Sequence, residues 1–317
     1  MSSKHLVLGA TGSIGYAYTN LLVSQGIKTT IFVRNLEKAK ELFGDNSLLE
    51  ILVGDVNNIK ELKSVSSDKD FIFCGINVPY QLWEKQMERV IINVILSAKQ
   101  NKATILFPEN NYAFGNIATP ITEKTIPHPT TKKGQIRLNL VNQLKKASEK
   151  GDCKVIIIRL PDFFGPNVTN GLIKPIFGEA INNKPIKWMI NANIPHQFSF
   201  TPDIAKYFHL LTLENSLPNF FLINYSGITV RSIKYLSEKI SEIQGNPKKV
   251  KIAPKFILNI IALLSPELKE LKENFYQFES SIILDGYKLK TMYPKFNETN
   301  LETALKITLD WYENNMK

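Results

Sequence analysis

The feature that most constrains this chain stands at its start. A short apolar run, His5–Gly9, leads without a break into Gly9-Ala10-Thr11-Gly12-Ser13-Ile14-Gly15, and an amphipathic stretch over residues 14–25 follows. Glycines at this spacing between a strand and a helix meet three needs: a tight turn, close approach of backbone to a pyrophosphate, and close helix–strand packing. The helix that follows turns its first amides and the positive end of its dipole toward the phosphates. The loop therefore predicts a dinucleotide-binding β-α unit, with Gly9, Thr11, Gly12, Ser13, Ile14 and Gly15 around the phosphates.

Beyond the loop, short apolar runs alternate with longer amphipathic ones. Strands are expected at 29–33, 48–53, 71–74, 104–107 and 155–160, and helices at 36–43, 82–100 and 133–150. Strands joined by helices pair in parallel through right-handed crossovers. The fold class is thus α/β, a doubly wound Rossmann-type parallel sheet. After Pro161 the rhythm breaks, and Pro166, Pro175, Pro185 and Pro195 interrupt it. A short strand at 198–200, a helix from Pro202 and a strand at 220–224 follow. Residues 229–317 read as mostly helical, with amphipathic stretches at 232–243, 256–264 and 301–312. The expected division is a dinucleotide-binding domain over 1–160 and a smaller, mainly helical substrate lobe over 161–317, with about 198–225 returning to the first sheet.

Composition narrows the function classes. The net charge of +10 is spread along the chain with only short lysine clusters, and no helix-turn-helix, zinc-finger or RNA-binding motif accompanies it. The charge is read as attraction for an anionic cofactor and substrate, with no nucleic-acid partner. No run of about 18 apolar residues exists to span a bilayer, so no membrane partner is expected. Cys74 and Cys153 sit in or beside apolar segments and read as reduced thiols in a cytoplasmic protein. The four scattered histidines carry no metal-ligand spacing.

The second strand decides between dinucleotides. NAD-binding units place Asp or Glu about 20 residues past the glycines to hold the ribose 2′-hydroxyl. Here the strand ends Val33-Arg34-Asn35, and a guanidinium suits a 2′-phosphate. NADP(H) is favoured over NAD(H). After the third strand, in Gly54-Asp55-Val56, Asp55 fits two roles that can coexist, accepting from the adenine amino group and capping the helix from Asn58.

With these residues in hand, the chain resembles the extended or atypical short-chain dehydrogenase/reductases, the NAD(P)-dependent epimerase/dehydratase superfamily, over nearly its whole length. The glycine loop resembles that family's GxxGxxG, and Gly54-Asp55-Val56 its adenine-side motif. Cys74 and Gly75 lie where the fourth strand meets the cofactor. Residues 159–166, Arg-Leu-Pro-Asp-Phe-Phe-Gly-Pro, resemble the family's segment after the sixth strand, and residues 200–205 and 304–312 are similar to two more of its segments. The resemblance also implies pairing as a homodimer through the long helices 82–100 and 133–150.

The departures bear on chemistry. The family carries a Ser or Thr after the fifth strand and a Tyr-x-x-x-Lys pair on the next helix. Here Asn110 stands at the first position, and the register puts Lys133 at Tyr and Arg137 at Lys. Lys133 and Arg137 lie four apart on one helical face, so the amine would transfer the proton and the guanidinium would bind ribose hydroxyls. Asn110 would orient a carbonyl, and Tyr112 is a second proton donor. The alternative is a plain basic helix start. His196 reads as a substrate contact or a surface histidine, Trp188 and Met189 as pocket lining or an ordinary apolar strand, and Glu109 as a base or a solvated carboxylate. The expected function is an NADP(H)-dependent oxidoreductase or epimerase/dehydratase acting by hydride transfer on a small carbonyl or sugar-like substrate. The alternative is a non-catalytic NADP(H)-binding sensor.

Overall fold

The computed structural model describes residues 3–316. In chain order, the first elements are β1 (His5–Leu8), α1 (Ser13–Ser24), β2 (Thr29–Val33), α2 (Leu36–Phe43), β3 (Leu49–Val53) and α3 (Ile59–Ser66). Next come β4 (Phe71–Cys74), α4 (Trp83–Asn101), β5 (Thr104–Glu109), α5 (Lys132–Glu149) and β6 (Lys154–Arg159). They are followed by β7 (Asp162–Phe164), α6 (Lys174–Ile181), β8 (Ile186–Met189), β9 (His196–Phe200), α7 (Thr201–Thr212) and β10 (Phe220–Asn224). The remaining elements used below are β11 (Ile228–Val230), α8 (Ile233–Gln244), β12 (Val250–Ala253), α9 (Lys255–Ile261) and α10 (Pro266–Leu271). A long helix, Leu301–Met316, lies near the C-terminus.

The chain divides into two compact units. The first comprises Met1–Glu109, Ile136–Arg159 and Pro202–Ile223. It is built on a seven-stranded sheet in the order β10-β6-β5-β4-β1-β2-β3. Strand β1 pairs in parallel with β2 and β4, and every residue of β1 and β2 is buried. Such strands need helices on both faces, which is why they are continuous apolar runs. Because β1 is flanked by β2 on one side and β4 on the other, the strand order reverses there. Ligands bind open α/β sheets at this switch point, beyond the carboxyl ends of the strands. Local chemistry sets the flanking helices. The Asn35 side chain caps α2 by accepting from Lys38 N, and the Asn58 side chain caps α3 by accepting from Lys60 N and Glu61 N.

The second unit comprises Asn110–Gln135, Leu160–Thr201 and Asn224–Lys317. It holds a three-stranded sheet, β11-β9-β7, and a two-stranded parallel pair, β12-β8. Its core gathers Phe164, Phe177, Trp188, Phe198, Phe200 and Tyr312. The Tyr312 hydroxyl donates to Val168 O, so the only polar atom of that ring is satisfied where it is buried.

Two features differ from the sequence expectation. Residues 110–135, expected in the first domain, group with the second unit, where Ile121 N donates to Ile283 O and Gln277 Nε2 to Asn111 Oδ1. Strand β9, expected to return to the first sheet, pairs instead with β7 and β11, because Phe198 and Phe200 pack on Phe164. Only the segment from Pro202 joins the first unit, and β10 extends its sheet. The span 229–317 also contains β12, whose Lys251 lies beside Lys187 of β8.

Candidate functional site

The three loop glycines have different reasons to be glycine. Gly9 has φ +78°, and a Cβ there would lie 2.7 Å from the carbonyl carbon of Gly75. A Cβ on Gly15 would lie 2.2 Å from Gly9 O, inside the contact between α1 and the end of β1. Both are needed for the turn itself. Gly12 is different: its φ is −93°, open to any residue, and a Cβ would meet only Gly9 O at 3.2 Å. Gly12 is exposed, it caps α1, and the first turn of that helix carries no acidic residue. The space a side chain would fill lies at a helix N-terminus, the geometry that receives a pyrophosphate. This cradle fits a dinucleotide.

Other cofactor-side residues surround the same strand ends. Gly75 N donates to Leu8 O at 3.0 Å, which ties the end of β4 to the end of β1 beside Gly9. Arg34 follows β2 directly and is exposed. Asp55 is half-buried, and its Oδ1 accepts from Asn57 N at 2.9 Å and from Asn57 Nδ2 at 3.0 Å. Capping of α3 belongs to Asn58, so that role for Asp55 falls away. Val56 O accepts from Asn93 Nδ2 of α4 at 2.8 Å, which pins the loop after β3. Cys74 is buried, and burial pushes its thiol up to about 11. That leaves very little thiolate at neutral pH.

The helix α5 carries the two residues expected to do chemistry, and the boundary between units falls between them. In the first unit, Arg137 donates from Nε to Glu109 Oε1 and from Nη2 to Glu109 Oε2, both at 2.8 Å. Nη2 also donates to Pro108 O at 3.1 Å. The guanidinium carbon lies 4.9 Å from the Phe107 ring centroid and 5.6 Å from that of Trp83. Both members of the pair are buried. Glu109 is therefore neither a solvated carboxylate nor an unengaged base.

In the second unit, Lys133 is 3% exposed, and its ammonium donates to Glu270 Oε2 and Glu273 Oε1, each at 2.6 Å. Lys132 N donates to Glu273 Oε2 at 2.8 Å, so one carboxylate serves both residues. Asn110 Oδ1 accepts from Tyr112 N at 3.1 Å and shapes the turn that holds Tyr112 half-buried. A Cβ at position 134 would lie 2.5 Å from Tyr112 O, so Gly134 is what lets this turn approach α5. Glu270 and Glu273 went unread in the sequence. They lie 137 and 140 residues from Lys133, and nothing local marks them.

His196 is buried, with Nε2 2.8 Å from Asp162 Oδ2, the carboxylate accepting. Its ring packs against Trp188 and Phe198. Trp188 is buried in the core of the second unit and donates to Asn191 O, while Met189 packs on the same core partly buried. Among the described residues no cluster of three His, Cys, Asp or Glu could hold a metal ion, and no helix is long and apolar enough to cross a membrane.

Residues 9–106 match a family model described as NAD(P)H-binding. Over the full chain, the fold is that of UDP-glucuronic acid 4-epimerase from Bacillus cereus, solved with NAD. That match has 16% identity and a TM-score of 0.79, covering 99% of this chain and 100% of the other. The dTDP-glucose 4,6-dehydratase of Bacillus anthracis str. Ames, also with NAD, matches at 14% identity and TM-score 0.80 over 99% and 97% of the two chains. UDP-N-acetylglucosamine 4-epimerase from Bacillus cereus matches at 17% and 0.76 over 100% and 98%. A comparison with curated protein sequences finds no match. The glycine cradle lies within the residues that match the NAD(P)H-binding model, on a Rossmann-type sheet. Its fold is shared with the two 4-epimerases and the 4,6-dehydratase just described.

Proposed function

We propose that this chain is an NADP(H)-dependent enzyme of the epimerase/dehydratase type, acting on a small carbonyl or sugar-like substrate. The observation that carries the reading is Gly12, the one loop glycine with an ordinary φ, where a Cβ would meet a single atom, Gly9 O at 3.2 Å, at the start of α1. When bound, the nicotinamide supplies hydride-transfer chemistry. The chain's own residues bind and orient. The first amides of α1 hold the pyrophosphate, exposed Arg34 takes the 2′-phosphate, and Asp55 faces the adenine amino group. Asn110 orients the substrate carbonyl. Lys133 holds the transferable proton at Nζ, aimed by its hydrogen bonds to Glu270 and Glu273, with Tyr112 as a second donor. Arg137 uses Nε and Nη2 on Glu109 and Pro108, which leaves ribose hydroxyls to Nη1.

A second reading, a non-catalytic NADP(H)-binding sensor, is supported by a specific observation. The ammonium of Lys133 and the guanidinium of Arg137 are each held by carboxylates, an arrangement that also serves structure alone.

One experiment separates the two. NADPH and NADH are titrated by fluorescence into the wild type and Arg34→Ala, and NADPH oxidation is then followed with a panel of carbonyls and nucleotide sugars. Tight NADPH binding that collapses in Arg34→Ala, with turnover that falls in Lys133→Met, supports the enzyme. Tight binding without turnover on any compound supports the sensor. Equal affinity for NADPH and NADH removes Arg34 from the cofactor site.

A further inference from the structure

A face of the second unit has no use in cofactor binding. Around α9, six large apolar side chains are exposed within nine positions: Phe256, Ile257, Ile260, Ile261, Leu263 and Leu264. Phe256 is 65% exposed, Leu263 81% and Leu264 87%. Residues 256, 257, 260 and 261 follow helical spacing and form one stripe on α9, which Leu263 and Leu264 extend in the turn after it, while Leu258 and Ala262 are buried. Single exposed apolar residues are ordinary, but a contiguous helical stripe of this kind marks an interaction surface.

The surroundings of the stripe say what covers it. Residues 248–273 contain six lysines and three glutamates. Lys249 and Lys251, on the approach through β12, are exposed, as are Lys255, Lys269 and Lys272. Two of the three glutamates, Glu270 and Glu273, are engaged with Lys133. Lys255 pairs with Glu279. Parallel pairing of β12 with β8 sets exposed Lys187 beside Lys251, so the basic rim extends across both strands. An apolar helical face of Phe, Ile and Leu rimmed by lysines matches the chemistry of a helix lying in the headgroup region of a bilayer. There the apolar face enters the acyl boundary and the lysines meet lipid phosphates. A second copy of this chain fits less well, because a self-complementary contact would bring two lysine rims together on chains of net charge +10.

We propose that the α9 face, Phe256 to Leu264 with its lysine rim, docks on an anionic phospholipid surface and holds the protein peripherally at a membrane. It sits on the surface and does not span, in keeping with the absence of an 18-residue apolar run. The expectation of no membrane partner rested on spanning alone; an interfacial helix needs only one apolar face.

The test is co-sedimentation of the whole chain with vesicles of phosphatidylcholine alone and of phosphatidylcholine and phosphatidylglycerol in equal parts. The measurement is repeated on the triple variant Phe256→Ser, Ile260→Ser, Leu264→Ser. All three positions are exposed, so the variant keeps its core, and NADPH affinity checks that it is folded. The expected result is binding to the phosphatidylglycerol vesicles, weakened by salt, little binding to phosphatidylcholine, and a fall of about tenfold or more in the variant. No pelleting with either vesicle overturns the proposal, as does pelleting that the triple variant leaves unchanged. A dimer in light scattering that the variant converts to a monomer also overturns it and assigns the face to a second copy.

Discussion

Arg137 and Glu109 meet through two hydrogen bonds of 2.8 Å, with both side chains removed from solvent and the guanidinium over the rings of Phe107 and Trp83. The pair joins the end of β5 to α5 in the first unit. A bidentate buried pair of this kind is costly to break from one side, because the remaining charge stays buried without its partner.

Arg137→Met is therefore expected to destabilise the protein by about 3–5 kcal/mol. Adding Glu109→Gln to it should restore a large part of that loss, since no buried carboxylate is then left uncompensated. Urea unfolding of the two single variants and the double variant measures the coupling. A double variant as unstable as the sum of the singles would mean that the two residues act independently.

Gly12→Ala and Gly15→Ala should separate binding from folding. The Gly15 variant forces a Cβ to within 2.2 Å of Gly9 O and is expected to lose about 3 kcal/mol of stability. The Gly12 variant meets only one atom, at 3.2 Å, and has an ordinary φ. It should melt within a few degrees of wild type while NADPH affinity falls about tenfold or more. Unchanged affinity in Gly12→Ala would remove the phosphate cradle from the cofactor reading.

Acid stability should depend on His5. Burial, then the nearby His209, lowers its pKa from 6.5 to about 4, against an opposing pull from Asp70. The ring stacks on Phe71, and Nδ1 lies 3.2 Å from the Tyr18 hydroxyl. The folded pKa lies below the unfolded one, so the unfolded chain binds the proton more readily. The contribution of His5 is fully present above pH 6.5 and is lost as pH falls toward 4, by about 3 kcal/mol in all. Unfolding free energies of wild type and His5→Gln between pH 7 and pH 4 should converge as pH falls. Parallel curves would show that His5 does not titrate in this window.

Neither cysteine should behave as a reactive thiol. Burial pushes Cys74 and Cys153 each up to about 11 from 9.0, which lowers the thiolate fraction about a hundredfold. Native protein at pH 8 should react slowly with a thiol reagent, and both residues should react rapidly in denaturant. Fast labelling of Cys74 in the native state would contradict its burial at the end of β4.

The parts of the fold legible in the sequence are those whose cause is local. The strand-loop-helix at residues 5–24 announces itself because a tight turn at Gly9 and a close helix–strand contact at Gly15 both require glycine within seven residues. The alternation that follows reveals the parallel sheet, because strands buried on both faces must be apolar throughout. Arg34 is legible for the same reason: its place at the end of β2 depends only on the length of the unit before it.

What tertiary structure decided is which distant groups meet. Lys133 and Arg137 were visible as a pair one turn apart, but a cation on a helix does not reveal which carboxylate reaches it. The fold brought Glu109 to one, and Glu270 and Glu273, on α10 and the turn after it, to the other. It also assigned β9 to the second unit, because Phe198 and Phe200 pack as well on one apolar face as on another until Phe164 is in place. The stripe at 256–264 shows the limit most plainly. Helical spacing of apolar residues defines a face, and the same spacing serves a core, an interface or a lipid surface. Only the arrangement of everything else in the second unit left that face uncovered.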